Sequence, residues 1–208
     1  MNKLEKEYIE KYDDISNDYD TRIELLKSDL KTEKQINQFE SNVKSQKKLK
    51  WREVDITIYL EPKPTPRPRL GRNGIFYVKG SYDNKRIFEK YYENIKDVGM
   101  IMTPCKFKCT TYIQTPKSMN KVEKLMAEMG LIYPLSKPDW DNLAKTYCDM
   151  IQGTLIYDDS IIIEGTLKKR YSIKPRIEIN IKFLDDFDSQ YNKKKFLKKG
   201  LIQDEIHL

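Results

Sequence analysis

Apolar residues recur at Leu4, Tyr8, Tyr12, Ile15, Tyr19, Ile23, Leu26 and Leu30, at spacings of four, four and three. Such spacing returns to one side of an α-helix and predicts a helical seam. No Gly or Pro precedes Pro62, so residues 1–50 read as one helical, coiled-coil-like extension. Its eleven-residue repeat corresponds to about 3.67 residues per turn, which keeps the helix straight or slightly right-handed. A single stripe is not stable alone in water, so it needs another helix, a second chain or the body as partner.

From Trp51 the period falls to two. Val54, Ile56, Ile58 and Leu60 alternate with polar neighbours and predict a first strand. Pro62, Pro64, Pro66 and Pro68 then hold the backbone extended, and Gly71 and Gly74 permit a turn. Ile87, Tyr91, Ile95 and Val98 predict a helix over residues 82–98, and Cys105, Phe107 and Cys109 predict a strand over 105–114. Asn120 with Glu123 reads as a helix start and Gly130 as its stop, with Val122, Met126 and Met129 as the apolar stripe. A helix from Asn142 to Gln152 closed by Gly153 follows, then strands over 160–171 and 176–184. The result is an α+β body over residues 51–184, flanked by the helical extension and by a polar, lysine-rich tail over 185–208.

Charge locates the partner. Residues 1–50 hold 11 basic and 11 acidic side chains, so the net charge of +7 falls in the rest of the chain, as 28 against 21. A basic body suits a polyanion, because each neutralised phosphate releases counterions. The three cysteines, Cys105, Cys109 and Cys148, show no CxxC spacing, which argues against a zinc knuckle or a disulfide framework and for a reducing cytoplasm. Cys105 and Cys109 share strand parity and read as core. No apolar run reaches the roughly 18 residues of a membrane span, so a soluble, cytoplasmic protein is expected. The single histidine, His207, stands next to the end, which disfavours histidine-based chemistry and leaves carboxylates as metal ligands.

The chemistry concentrates in Lys137-Pro138-Asp139-Trp140-Asp141-Asn142-Leu143-Ala144-Lys145, followed by Asp149 and Asp158-Asp159. If residues 139–141 are extended, Asp139 and Asp141 face one site while Trp140 turns to the core. If the helix starts at Asn142, Asp141 is its N-cap, and Lys145 and Asp149 follow at intervals of four on one face. Crowded carboxylates repel one another, and a divalent cation resolves the conflict. Hard oxygen ligands select Mg²⁺ or Mn²⁺, which activate water and polarise a phosphate, so phosphodiester hydrolysis is the expected reaction. An EF-hand fails here, since Leu143, Ala144 and Met150 stand where an oxygen ligand, Gly and Glu are required. Arg67, Arg69, Arg72, Lys79, Lys137, Lys168, Lys169 and Arg170 are the candidate phosphate contacts.

At these residues the chain resembles the RusA-like crossover junction endodeoxyribonucleases, the Holliday junction resolvases. The likeness rests on Pro138-Asp139-Trp140-Asp141-Asn142-Leu143, Lys145, Asp149, Asp158-Asp159, the strand ending Lys168-Lys169-Arg170-Tyr171, and the stretch Pro64 to Arg69, and it covers roughly residues 52–184. The resemblance implies a small mixed β-sheet with packed helices. It implies that Asp139, Asp141 and Asp159 are catalytic, metal-binding aspartates and Lys145 an essential lysine, with Asp158 as a further metal ligand and Asp149 as a secondary acidic position. It also implies a homodimer that nicks four-way DNA junctions with Mg²⁺ or Mn²⁺ in recombination and repair. The extension and the tail depart from that compact pattern. Two other readings remain open: a non-catalytic protein that binds or scaffolds branched DNA, and a nuclease for other branched nucleic acids. High Lys, Ile, Asn and Tyr usage points to an AT-rich phage or prophage source.

Overall fold

The computed structural model of the chain describes residues 19–64, 69–71, 74–76 and 83–186. Leu4, Tyr8, Tyr12, Ile15, the tail from residue 187 and His207 lie outside them. The chain divides into two compact units, Met1–Leu49 and Lys50–Leu208.

In the first unit the described part of the seam is not one helix but two, α1 (Tyr19–Lys27) and α2 (Glu33–Gln46). The break has a local cause in a capping box. Thr32 Oγ1 accepts from the Gln35 amide at 3.3 Å, and Gln35 Oε1 accepts from the Thr32 amide at 3.2 Å, which starts a new helix just after Leu30. Lys27 pairs with Glu40, and Lys47 with Asp20 at 2.8 Å, so the two helices run antiparallel. Leu26 and Leu30 are half-buried, as are Ile36, Phe39 and Val43 of α2. The seam therefore finds a helix as its partner, within its own unit.

The second unit is α+β. Its sheet joins β1 (Trp51–Ile58), β4 (Cys105–Gln114), β5 (Ile162–Ser172) and β6 (Arg176–Leu184) in the order β1-β6-β4-β5. The sheet is mixed: β6 runs antiparallel to β1 and β4, while β4 and β5 are parallel. Between β1 and β4, the short strands β2 (Arg69–Gly71) and β3 (Gly74–Phe76) pair as a hairpin across the turn that Gly71 and Gly74 predict. The predicted helix over 82–98 is α-helical only as α3 (Asp83–Tyr92) and tightens into a 3₁₀ segment, Glu93–Val98.

Alternation decides which face of the sheet is buried. Val54, Ile56 and Ile58 of β1 register with Ile181, Ile179 and Ile177 of β6, and the latter two pair on with Cys109 and Thr111 of β4. All of these are buried, and they meet Phe88 of α3 and Leu143, Tyr147, Met150 and Ile151 of α5 (Trp140–Ile151). The other face of the sheet carries polar side chains. Cys105 and Cys109 are fully buried, as their parity predicts. Desolvation, and then the charge of Cys148, push the Cys105 thiol up to about 12 and the Cys109 thiol up as well. Because the folded values lie above the ordinary 9.0, this contribution to stability is complete below that pH and is lost progressively as pH rises from it towards about 12. The urea midpoint is expected to fall between about pH 8 and about pH 10, and a Cys105→Ala, Cys109→Ala variant to lose less over that window.

Helix α4 (Lys121–Glu128) begins and ends as its sequence predicts, with a capping box between Asn120 and Glu123 and Gly130 at φ +73°. Its apolar stripe is not covered, however. Val122, Leu125 and Met129 are more than half exposed and only Ala127 of the helix is buried. Glu128 reaches the end of β5, accepting from Ser172 Oγ at 3.0 Å and from the Ile173 amide, so the helix is held there through a polar residue beside the buried Ala127.

Candidate active site

Helix α5 carries core residues on one side and predicted site residues on the other. Leu143, Tyr147, Met150 and Ile151 recur at helical spacing and are buried, which fixes the helix on the sheet. The opposite side carries Asp141, Lys145 and Asp149, all exposed. Lys145 Nζ meets Asp149 Oδ1 at 3.2 Å, one helical turn apart.

The start of α5 differs from the sequence expectation. Asp139, not Asp141, is the N-cap, with extended backbone (φ −68°, ψ 146°), and the helix begins at Trp140. Asp141 therefore lies in the first turn, and the parity argument for residues 139–141 does not apply. Trp140 does not enter the core either. It is 54% exposed, and its indole Nε1 donates to the Leu167 carbonyl of β5 at 2.9 Å. That bond ties the acidic end of α5 to the middle of β5. The Asp139 carboxylate makes no capping hydrogen bond, so it is not spent on the helix. The Lys137–Pro138 peptide that precedes it is cis.

The second acidic pair lies at the other end of the helix. Asp158 caps a 3₁₀ turn, Asp159–Ile161, accepting from the Ser160 amide at 3.0 Å through Oδ1 and from Gln152 Nε2 at 3.3 Å through Oδ2. Both of its oxygens are engaged, while Asp159 is exposed. Burial first, then the negative charges of Asp159 and Asp149, push the Cys148 thiol up to about 11, with Lys145 opposing. Asp159, Asp149 and Lys145 thus all act on Cys148. Asp141 stands two turns from Asp149, about 12 Å along the helix axis. Among the described residues, no three acidic, histidine or cysteine side chains gather closely enough to cage a metal.

The predicted phosphate contacts divide by strand parity. Lys168 and Arg170 point to the open face of the sheet, where they line one cleft, and Lys169 points to the helical side, donating to the Ser136 carbonyl at 2.8 Å. The Arg170 guanidinium stacks 5.3 Å from the centre of the Tyr133 ring. Lys137 is exposed. Arg67, Arg72 and Lys79 lie outside the described residues, and of Arg69 the backbone alone is described. Sequence reasoning missed Gln152 as the partner of Asp158 and Trp140 as the tie to β5. Neither has a sequence signal, because both depend on a contact between separate elements.

Residues 60–182, more than half of the chain, match the family described as Endodeoxyribonuclease RusA. The chain belongs to the RusA family. The RusA match runs from just after β1 into β6, so it includes all of α5 and the Asp158-Asp159 turn and leaves α1 and α2 outside. The chain is also 32% identical over 136 residues to the uncharacterized protein YqaN of Bacillus subtilis (strain 168), covering 62% of this chain and 95% of that protein. Membership of the RusA family indicates an endodeoxyribonuclease. No helix among the described residues is long and apolar enough to cross a membrane.

Proposed function

We propose that the protein is a divalent-metal-dependent endonuclease that cuts four-way DNA junctions as a homodimer, in recombination and repair. The observation that carries this reading is the exposed Asp141–Lys145–Asp149 face of α5, flanked by Asp139 and Asp159, inside the matched RusA segment. The donor set fits Mg²⁺ or Mn²⁺: all its members are hard carboxylates open to solvent, and Mg²⁺ takes only one or two protein carboxylates, with water and phosphate completing its shell. Asp139 and Asp141, together at the start of α5, are the residues that would hold it; Asp159, in the turn at the other end of the helix, does not reach the same cation in this structure, contrary to what the resemblance implies. A cation bound there supplies Lewis-acid polarisation of the scissile phosphate and a more acidic water.

The chain's own groups do the rest. Lys145 brings a cation to the phosphate that gathers charge as the bond breaks. Asp149 holds that ammonium in place until DNA arrives, and an exposed pair of this kind yields readily because it is worth only about 0–1 kcal/mol. Asp158, with both oxygens committed, acts as the fixture that presents Asp159 rather than as a ligand. Lys137 and Lys169 stand beside the acidic end of α5 as phosphate contacts. Cleavage rates on a four-way junction, a fork, a duplex and a single strand of matched sequence, in Mg²⁺, test the substrate. The junction is expected to be cut fastest, and equal rates on all four would overturn the assignment.

The uncovered stripe of α4 supports the homodimer, because apolar side chains at i, i+3, i+4 and i+7 are rarely left to water. Replacing Leu125 and Met129 with lysine is expected to convert a dimer to a monomer in sedimentation velocity while α4 remains capped. A dimer that survives the double substitution places the interface elsewhere.

A further inference from the structure

The open face of the sheet has an ordered charge pattern, of which the nuclease reading draws only on Lys168 and Arg170. Register aligns Asp55, Asn180, Lys108 and Thr166 in one row across the strands, and Thr57, Glu178, Thr110 and Lys168 in the next. The acids are already satisfied by neighbours. Asn180 Nδ2 donates to Asp55 at 2.8 Å and to Glu53 at 2.7 Å, and Glu178 accepts from Arg176 at 2.7 Å and from Tyr112 at 3.0 Å. Lys106 pairs with Glu164 at 2.6 Å. Lys108 and Lys168 are left: both are exposed, and neither has an anionic partner among the described residues. They line the same cleft, of about 420 Å³, together with Thr110 and Arg170.

Cations at every second residue recur about 6.6 Å apart along a strand, at Lys106 and Lys108 on β4 and at Lys168 and Arg170 on β5. Two parallel rows of this kind suit an extended chain of phosphates better than one small anion. The face also adjoins the acidic end of α5, because Lys168 directly follows Leu167, whose carbonyl receives the Trp140 indole. We propose that the β4–β5 half of the open sheet face is a nucleic-acid backbone site, where Lys108 and Lys168 hold the phosphates of a DNA arm that leaves the acidic face of α5 across β5. The identity of the polyanion rests on the nuclease reading; the site itself rests on the sheet.

The test measures binding of the full-length protein to a fluorescent four-way junction in EDTA, over a series of salt concentrations. The Lys108→Ala, Lys168→Ala variant is expected to bind at least about tenfold more weakly at moderate salt, with the slope of log affinity against log salt shallower by about two, one for each lost phosphate contact. Lys108→Arg with Lys168→Arg is expected to restore both. Lys117→Ala with Lys174→Ala removes the same charge away from this face and is expected to leave the slope at the wild-type value. An unchanged slope in the first variant, an equal loss in the control pair, or no binding by the wild type overturns the proposal. Failure of the nuclease reading looks different: the wild type binds, the first variant loses two contacts, and Mg²⁺ still produces no cut.

Discussion

Substituting Asp141 with asparagine is expected to lower Mg²⁺-dependent nicking of a four-way junction by at least about a hundredfold, the scale on which an electrostatic participant is lost from a transition state. Asparagine keeps the shape of the side chain and the helix N-terminus, so α5 stays folded and Trp140 stays bonded to Leu167. What disappears is one negative charge from a pair at the same end of the helix, where Asp139 makes no capping bond and Asp141 is open to solvent. Binding to the junction in EDTA should hold within a few-fold, because no phosphate-binding cation has been touched. Asp149→Asn is the informative contrast: it removes a partner of Lys145 without removing a proposed metal ligand, and its effect on nicking should be much smaller. Gel-resolved cleavage of an end-labelled junction measures both. Full activity in Asp141→Asn would remove the acidic end of α5 from the chemistry.

The second large effect is on stability. Leu143 is fully buried, one turn before Tyr147, between the exposed Asp141 and Lys145. Truncation to alanine leaves a cavity beneath the helix that carries the site, and buried Leu→Ala changes cost about 2–5 kcal/mol. For a chain of this size that corresponds to a fall in Tm of roughly 4–20 °C. Calorimetry measures it directly. Nicking by the folded fraction at low temperature should remain near wild type, since Leu143 faces away from the acids. A Tm unchanged within about 1 °C would mean that α5 is not docked on the sheet as described.

Legibility followed the strength of the local signal. Strands β1, β4 and β6 were readable because one face is buried and the other polar, so period two is written into Val54-Ile56-Ile58, Cys105-Phe107-Cys109 and Ile177-Ile179-Ile181. The same periodicity separates Lys168 and Arg170 from Lys169, a division visible in sequence once residues 162–172 are taken as a strand. The acidic residues of the proposed site are chosen by type and spacing alone. The start of α5 was not readable, because Asp139 and Asp141 are equally good capping residues and the choice falls to the tertiary bond between Trp140 and Leu167. The break after Leu30 had a local signature, Thr32 with Gln35, overridden by a seam whose spacing runs on across it. The three-residue strands of the Arg69–Gly71 hairpin are too short to show a period. Periodicity also identified the stripe on α4 without revealing that it stays uncovered, since spacing records that a face is apolar and not what lies against it.

The exposed aspartates of α5 are proposed to cut DNA when a divalent cation is present. Incubating the intact protein with an end-labelled four-way junction, in Mg²⁺ and in EDTA, tests this most directly. Paired nicks at symmetric positions are expected in Mg²⁺ and none in EDTA. Cleavage that persists at full rate in EDTA, or an intact junction after prolonged incubation with Mg²⁺ or Mn²⁺, would contradict the proposal.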